Sequence, residues 1–516
     1  MTRSDPITSV GEPGSTNDGR RSLSQLTVSG GVVTALSQGT RLVTTLLSTV
    51  VLARLLSADD FGLVGLVFSV ISFLRVFKDA GLSSATIQRQ GISHAQVSNL
   101  FWINTGVSAA LGLVLVVLGP VLARFYGDNR LVGVSVALSL LFILGGTTVQ
   151  HQALLRRDMR FGTLAWIETA SAVVSLVVGV AAAMAGWAYW ALVASTLANE
   201  GALLLLTWVA SGWRPQRPMR LVGTKPLLSF GASMTAGSIL FVASRNVDTL
   251  LIGRFYGPHG VGIYTRALLL LMRPIEQLFT PVAAVFVPAL SRLQSEPERY
   301  RRAFLQFFET VTLLTLPAAG IGFALAQPLT HVVLGPGWDE TARILAGFTP
   351  AAVYLPLASP SGWLLVSQGR GRDYVVANAA IASLTIAAFV AGLPFGPLGV
   401  AMAYSAASIL VIMPILFYLC GRQGPVTTAD LWRAVLRHAP LWAVSYVATA
   451  GVSVTLNDPA SIGTVFAATL SGFVVTGLTV ATVRHDRQLM SRLACMLFDF
   501  GKNAARAFSG RHGKGE

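Results

Sequence analysis

About fourteen apolar stretches follow one another along this chain, and lysine and arginine fall almost entirely in every second gap between them. Each stretch is near the ~20 residues that an α-helix needs to cross ~30 Å of hydrocarbon. The pattern predicts spans at 28–52, 61–78, 99–123, 131–153, 163–185, 187–210, 228–252, 261–290, 305–326, 342–367, 374–393, 395–419, 434–455 and 461–483. Lipid offers no partner to a bare peptide group, so such a chain is expected to be an all-α polytopic membrane protein. Counting lysine and arginine orients it. With the N-terminus inside, 29 of the 38 lie in inner segments and at inner helix ends, among them Arg75, Lys78 and Arg89 after the second span. The outer gaps hold Arg54, Arg124, Arg130, Arg254 and Arg343, and four more arginines lie within spans. That asymmetry predicts cytoplasmic termini and a multi-pass protein of the cell (inner) membrane.

Composition agrees. Only 12% of residues are charged, about half the share typical of a soluble protein. The net charge of +15 is spread over short loops with no basic domain, so it reads as membrane orientation and not as nucleic-acid binding. Cys420 and Cys495 both fall on the predicted cytoplasmic side, where a disulfide is not expected. The polar start, 1–27, reads as a disordered cytoplasmic tail with no cleaved signal peptide.

A weak internal repeat divides the rest. At an offset of 200 residues, Gly31, Arg54 and Gly62 meet Gly231, Arg254 and Gly262. At an offset of 210, Leu154-Leu155 meets Leu364-Leu365, and Gly186, Ala191 and Ser195 meet Gly396, Ala401 and Ser405. The expected organisation is a six-helix N-lobe (28–210), a basic cytoplasmic linker (211–227) and a six-helix C-lobe (228–421). Two further helices (422–485) and a basic cytoplasmic tail (486–516) complete the chain. Both lobes run in the same sense, as in transporters whose repeat axis lies along the membrane normal.

Charges inside spans carry the chemistry. Arg41, Arg245, Arg266 and Arg273 are each costly in lipid and are expected to face a protein-lined or water-filled interior. A hollow lined by them would attract a phosphate-bearing or otherwise anionic substrate, because guanidinium forks match phosphate oxygens. Arg245 and Arg273 have an alternative, a local pair with Asp248 and Glu276 three residues on. Asp248, Glu200 and Glu276 are candidates for coupling to H⁺ or Na⁺, the alternative being helix-to-helix hydrogen bonds. Glu168 and Glu309 lie nearer the inner ends, within reach of headgroups. Pro274 and Pro281, with Pro288, recur every seven residues in the eighth span. They mark either a flexing hinge or a static bend. Pro350, Pro356 and Pro360 are expected to break the tenth span in the same way.

Several classes are excluded. There is no phosphate-binding G-x-x-x-x-G-K-[ST] loop, so the chain is not itself a nucleotide-driven pump. No Cys/His grouping has metal-ligand spacing, and no cofactor is expected. The outer loops are too short for the catalytic site of a glycan-assembling enzyme such as a polymerase, and their acids are dispersed.

The run Arg245-Asn246-Val247-Asp248-Thr249-Leu250-Leu251-Ile252-Gly253-Arg254-Phe255-Tyr256-Gly257 resembles the span-seven signature of Wzx-type bacterial polysaccharide flippases. These form the polysaccharide-transporter branch of the multidrug/oligosaccharidyl-lipid/polysaccharide exporter superfamily. Gly262-Ile263-Tyr264-Thr265-Arg266-Ala267, Asp60-Phe61-Gly62-Leu63, Asp79-Ala80-Gly81-Leu82 with Ile87-Gln88-Arg89, Leu154 to Phe161, and Leu334-Gly335-Pro336-Gly337-Trp338 are similar too. The likeness covers about 28–485 and is nearest the colanic-acid-exporter-like subgroup. It implies fourteen helices in two lobes and alternating access around a cationic lumen. The implied substrate is an undecaprenyl-pyrophosphate-linked oligosaccharide for exopolysaccharide, capsule or O-antigen synthesis. It also implies work beside a polysaccharide polymerase and co-polymerase. A multidrug-type antiporter and a lipid II flippase share the fold and remain alternatives.

Overall fold

A computed structural model describes residues 39–218 and 246–491, except 41, 42, 46, 80–85, 87–91 and 457–460. Among the described residues every element is helical. In order they are α1 (Ala58–Asp79), α2 (His94–Tyr126), α3 (Arg130–Arg157), α4 (Phe161–Met184), α5 (Tyr189–Ser211) and α6 (Val247–Arg292). There follow α7 (Pro297–Ala324), α8 (Ala326–Leu334), α9 (Asp339–Ser367), α10 (Gly371–Gly392), α11 (Gly396–Ala407), α12 (Met413–Gly421), α13 (Thr428–Thr455) and α14 (Ile462–Thr482). A π turn, Ser408–Ile412, joins α11 and α12 into one continuous rod. Each predicted span with described residues coincides with a helix, and the all-α polytopic fold is borne out. Two compact units meet in the chain at Asn246 and Val247.

The helices carry apolar residues all round, as lipid-facing helices do. On α14, Phe466, Phe473 and Leu478 are all more than half exposed, and the solvent for that face is hydrocarbon. With lipid outside, apolar burial does not drive helices together, and close backbone approach with hydrogen bonds does the work. In the N-terminal unit Ser108 sits on Gly146 where α2 meets α3, and the Asn104 amide donates to the Gly146 carbonyl at 3.1 Å. Where α4 meets α5, the Ser175 and Ser195 hydroxyls each donate to the other's carbonyl at 2.9 Å, and Gly179 makes room for Ser195.

In the C-terminal unit one buried cluster sets Tyr300, Phe304 and Phe308 of α7 among aliphatic side chains and against Phe417 of α12. At the head of α7, Arg301 reaches Asp430 in the capping box of α13, 2.6 Å away. Burial pushes the Asp430 carboxyl up, but Arg301 and the Thr427 cap more than reverse it. Helix α7 crosses α13 at Gly320, where a Cβ would run into the Trp442 carbonyl and Ser445. Gly322, two residues on, has open space. Gly320→Ala is therefore expected to cost about 1–3 kcal/mol, whereas Gly322→Ala should be neutral or slightly stabilising. Thermal melts of the two variants in detergent check this.

Two sequence expectations change. Helix α9 runs unbroken through Pro350, Pro356 and Pro360, because neighbouring helices in a membrane bundle can satisfy the carbonyls that proline frees. Glu309 meets the His485 ring at 2.9 Å and does not simply reach toward headgroups. His485 belongs to a short helical stretch, 484–491, that follows α14.

Candidate functional site

Asp248 opens α6, and the Tyr264 hydroxyl donates to its Oδ2 at 2.9 Å. In a straight helix these residues would lie about 24 Å apart. They meet because the chain reverses between them. Gly257 has φ 65° and ψ −169°, outside the helical region, a conformation that favours glycine. Asp248 and Tyr264 are equidistant from residue 256, as are Ile252 and Gly260, which also pack together. The element is thus a helical hairpin, and its two arms are the predicted seventh and eighth spans. Asp248 lies eight residues before the turn, roughly 12 Å deep along the helix.

The carboxylate is sealed. Asp248 is 4% exposed and Tyr264 fully buried. Asp248 Oδ1 accepts from the Thr249 amide at 2.7 Å. The Tyr264 ring lies 5.2 Å from that of Phe348. Arg266, two residues on along the same arm, is half-buried. Asp248, Tyr264 and Arg266 therefore share one end of the hairpin. Arg41 and Arg245 lie outside the described residues, as do the side chains of Arg273, Pro274, Glu276 and Pro281. The backbone of α6 is helical through both prolines.

In the N-terminal unit, Glu200 lies midway along α5, half-buried. Its Oε2 is 3.8 Å from the point a Cβ of Gly145 would occupy. The Lys78 ammonium rests against the same glycine.

Nearer the C-terminal end of α3, His151 is fully buried. It stacks on Trp208 at 4.5 Å and meets the edge of Trp213 at 5.1 Å. The Trp102 indole donates to the Gln216 carbonyl at 2.8 Å, and the Gln216 amide donates to Ser98 at 3.1 Å. Residues 213–216, just beyond α5, are thereby pinned to α2. No group of three or more acid, histidine or cysteine side chains suited to a metal occurs among the described residues.

Comparison with known proteins follows the fold. A family model described as polysaccharide biosynthesis protein matches residues 51–343. The teichuronic acid biosynthesis protein TuaB of Bacillus subtilis is 25% identical over 425 residues, 82% of each chain. The lipopolysaccharide biosynthesis protein WzxC of Escherichia coli is 25% identical over 440 residues, 82% of this chain and 88% of that one. Among solved structures, the lipid II flippase MurJ in an inward closed conformation superposes with a TM-score of 0.71. It covers 89% of this chain and 100% of its own at 14% identity, a likeness of fold.

Proposed function

Since this chain belongs to the polysaccharide biosynthesis protein family, as its Wzx-like motifs led one to expect, we propose that it is a flippase for lipid-linked oligosaccharide. The cargo is an undecaprenyl-pyrophosphate-linked unit, carried from the cytoplasmic to the periplasmic leaflet of the inner membrane by alternating access. The observation that carries this reading is the extent of the likeness to relatives named for envelope polysaccharide synthesis, 82% of the chain in each of two cases. The protein acts as a transporter and not as an enzyme, with both termini cytoplasmic, and hands its cargo to a polymerase and co-polymerase.

Within that reading the charged residues take the following roles. Arg266, together with Arg41, Arg245 and Arg273, draws in the anionic head of the substrate. Asp248, sealed at bilayer depth and hydrogen-bonded by Tyr264, takes up the coupling ion, H⁺ or Na⁺. Pro274 and Pro281 bend the second arm of the hairpin as access alternates.

The test is deletion of the gene in its own host. Surface polymer should disappear and lipid-linked oligosaccharide accumulate on the cytoplasmic leaflet, with growth continuing and both effects reversed by the gene in trans. Loss of growth with arrested wall synthesis would point to lipid II as cargo. Unchanged polymer would remove the proposal.

A further inference from the structure

We propose that the stretch 484–491 is a proton-operated clasp on the C-terminal unit. It closes on α7 and α13 when His438 and His485 are protonated, and it loosens when they are neutral. The contacts of this stretch carry the inference, whatever cargo the protein moves.

Two histidine–carboxylate contacts join the stretch to the helices beneath it, and they run in opposite senses. His485 of the stretch meets Glu309 of α7 at 2.9 Å. Asp486 of the stretch meets His438 of α13 at 3.4 Å, and Arg437 Nε lies 3.6 Å from the same Asp486 oxygen. The other charges of the stretch, Arg484 and Arg487, are exposed. Helices α12 and α14, which also pack on α13, carry no charge. Asp430, nearer the start of α13, is taken by Arg301 and Arg433. The apolar anchor of the stretch is Leu489, set against Leu313, Leu441 and Val480. So short a helix is not stable by itself in water. These few contacts therefore decide whether it stays helical and docked.

His438 is the sharper case, because it is fully buried. Its Nδ1 lies 2.8 Å from the Ala434 carbonyl. A carbonyl can only accept, so that nitrogen carries a hydrogen. In a neutral ring Nε2 then presents a lone pair, and what it faces is Asp486 Oδ1, another acceptor. Neither atom has a hydrogen-bond partner, and Asp486 is itself buried. One proton on Nε2 turns two facing acceptors into a charge-assisted contact. At the other contact a neutral His485 can still donate to Glu309, and protonation adds an opposite charge to the bond. Both changes have the same sign. A histidine that gains such a partner on docking favours the closed form at low pH and loses that contribution as pH rises. Imidazole ordinarily changes charge between about pH 5 and 8, so the clasp is expected to tighten at about pH 6 and loosen at about pH 8.

Amide hydrogen exchange of the full-length protein in detergent, at about pH 6 and about pH 8 and corrected for intrinsic rates, follows the docking of the stretch. In the wild type the amides of 484–491 are expected to exchange at least threefold more slowly at the lower pH, with those of α13 beyond Leu441 unchanged. The double variant His438→Gln/His485→Gln should abolish the difference, because glutamine keeps a donor in place but takes up no proton. His485→Gln alone and Asp486→Asn alone should each shrink it. Arg487→Gln, on the exposed side, should leave it intact. The His485 side chain is 40% exposed, so its single variant carries the test even where a variant of the buried His438 fails to fold. Wild-type amides that exchange alike at both pH values, or faster at the lower one, overturn the proposal. So does a pH difference that persists undiminished in both His485→Gln and Asp486→Asn.

Discussion

Asp248→Asn is expected to reduce polymer export to the level of a gene deletion while the protein still folds and reaches the membrane in normal amount. The reason is that the substitution changes the charge and very little else. Asp248 Oδ1 accepts from the Thr249 amide and Oδ2 from the Tyr264 hydroxyl. An asparagine oxygen keeps the first bond. Its amide can donate to the phenol oxygen in place of the second, since a phenol both donates and accepts. Volume and packing against Tyr264 persist, and what disappears is a group able to carry negative charge and take up a cation or proton at that depth. Tyr264→Phe makes the complementary change: it keeps the carboxylate and removes one buried donor, expected to cost about 1–3 kcal/mol. That variant should melt lower yet export more than Asp248→Asn. Export assays normalised to membrane protein, with melts in parallel, separate the two. Wild-type export by Asp248→Asn would leave Asp248 a structural acceptor for Tyr264 and end its role in coupling.

The helices were legible because the requirement that creates them is one of length and polarity, which a single pass along the chain can read. Even the hairpin of α6, which turns at the non-helical Gly257, was foreseeable as two spans from the break between two apolar stretches. What escaped depends on reach between segments. Lys78 stands in the last turn of α1, and nothing in its neighbours says that its four-carbon stem will turn onto Gly145. Glu309 and His485 are 176 residues apart, and their contact at 2.9 Å follows only once the stretch after α14 is placed on α7. The prolines of α9 misled for a related reason. Proline removes a donor from its own helix, but whether the helix breaks depends on partners that other helices supply. Asp248 was selected as a charged residue at depth, and the phenol that holds it lies across a turn that the spacing of neither residue reveals.

Arg370→Ala is expected to produce the largest loss of stability in the C-terminal unit. Arg370 stands just before α10, and its side chain is 12% exposed. One edge of the guanidinium donates to Asp373 Oδ2 at 2.9 and 2.7 Å. Its terminal nitrogens also donate to the carbonyls of Leu419 and Gln423 at 2.8 Å and Cys420 at 2.9 Å. Leu419 and Cys420 lie in the last turn of α12, where carbonyls have no partner within the helix and negative partial charge accumulates. One cation thus closes the end of α12 and joins it to the start of α10. Removing it exposes three carbonyls to loss of their donor at about 1 kcal/mol each, so the expected cost is about 3 kcal/mol before any contribution from Asp373. Arg370→Lys should fall between, since a single ammonium cannot span a carboxylate and three carbonyls as a planar fork does. Arg370, and after it Arg422, holds the Asp373 carboxyl below its ordinary value. A depressed carboxyl contributes stability above its unfolded value and loses it as pH falls through the folded one. The wild-type melting temperature should therefore drop in acid below the ordinary carboxylate range, and that part of the drop should be smaller in Arg370→Ala, where only Arg422 still pairs with Asp373. Melts of the three proteins at neutral and acid pH test both statements. Equal melting of wild type and Arg370→Ala at neutral pH would mean that apolar packing around Phe417 holds the end of α12 without its cap.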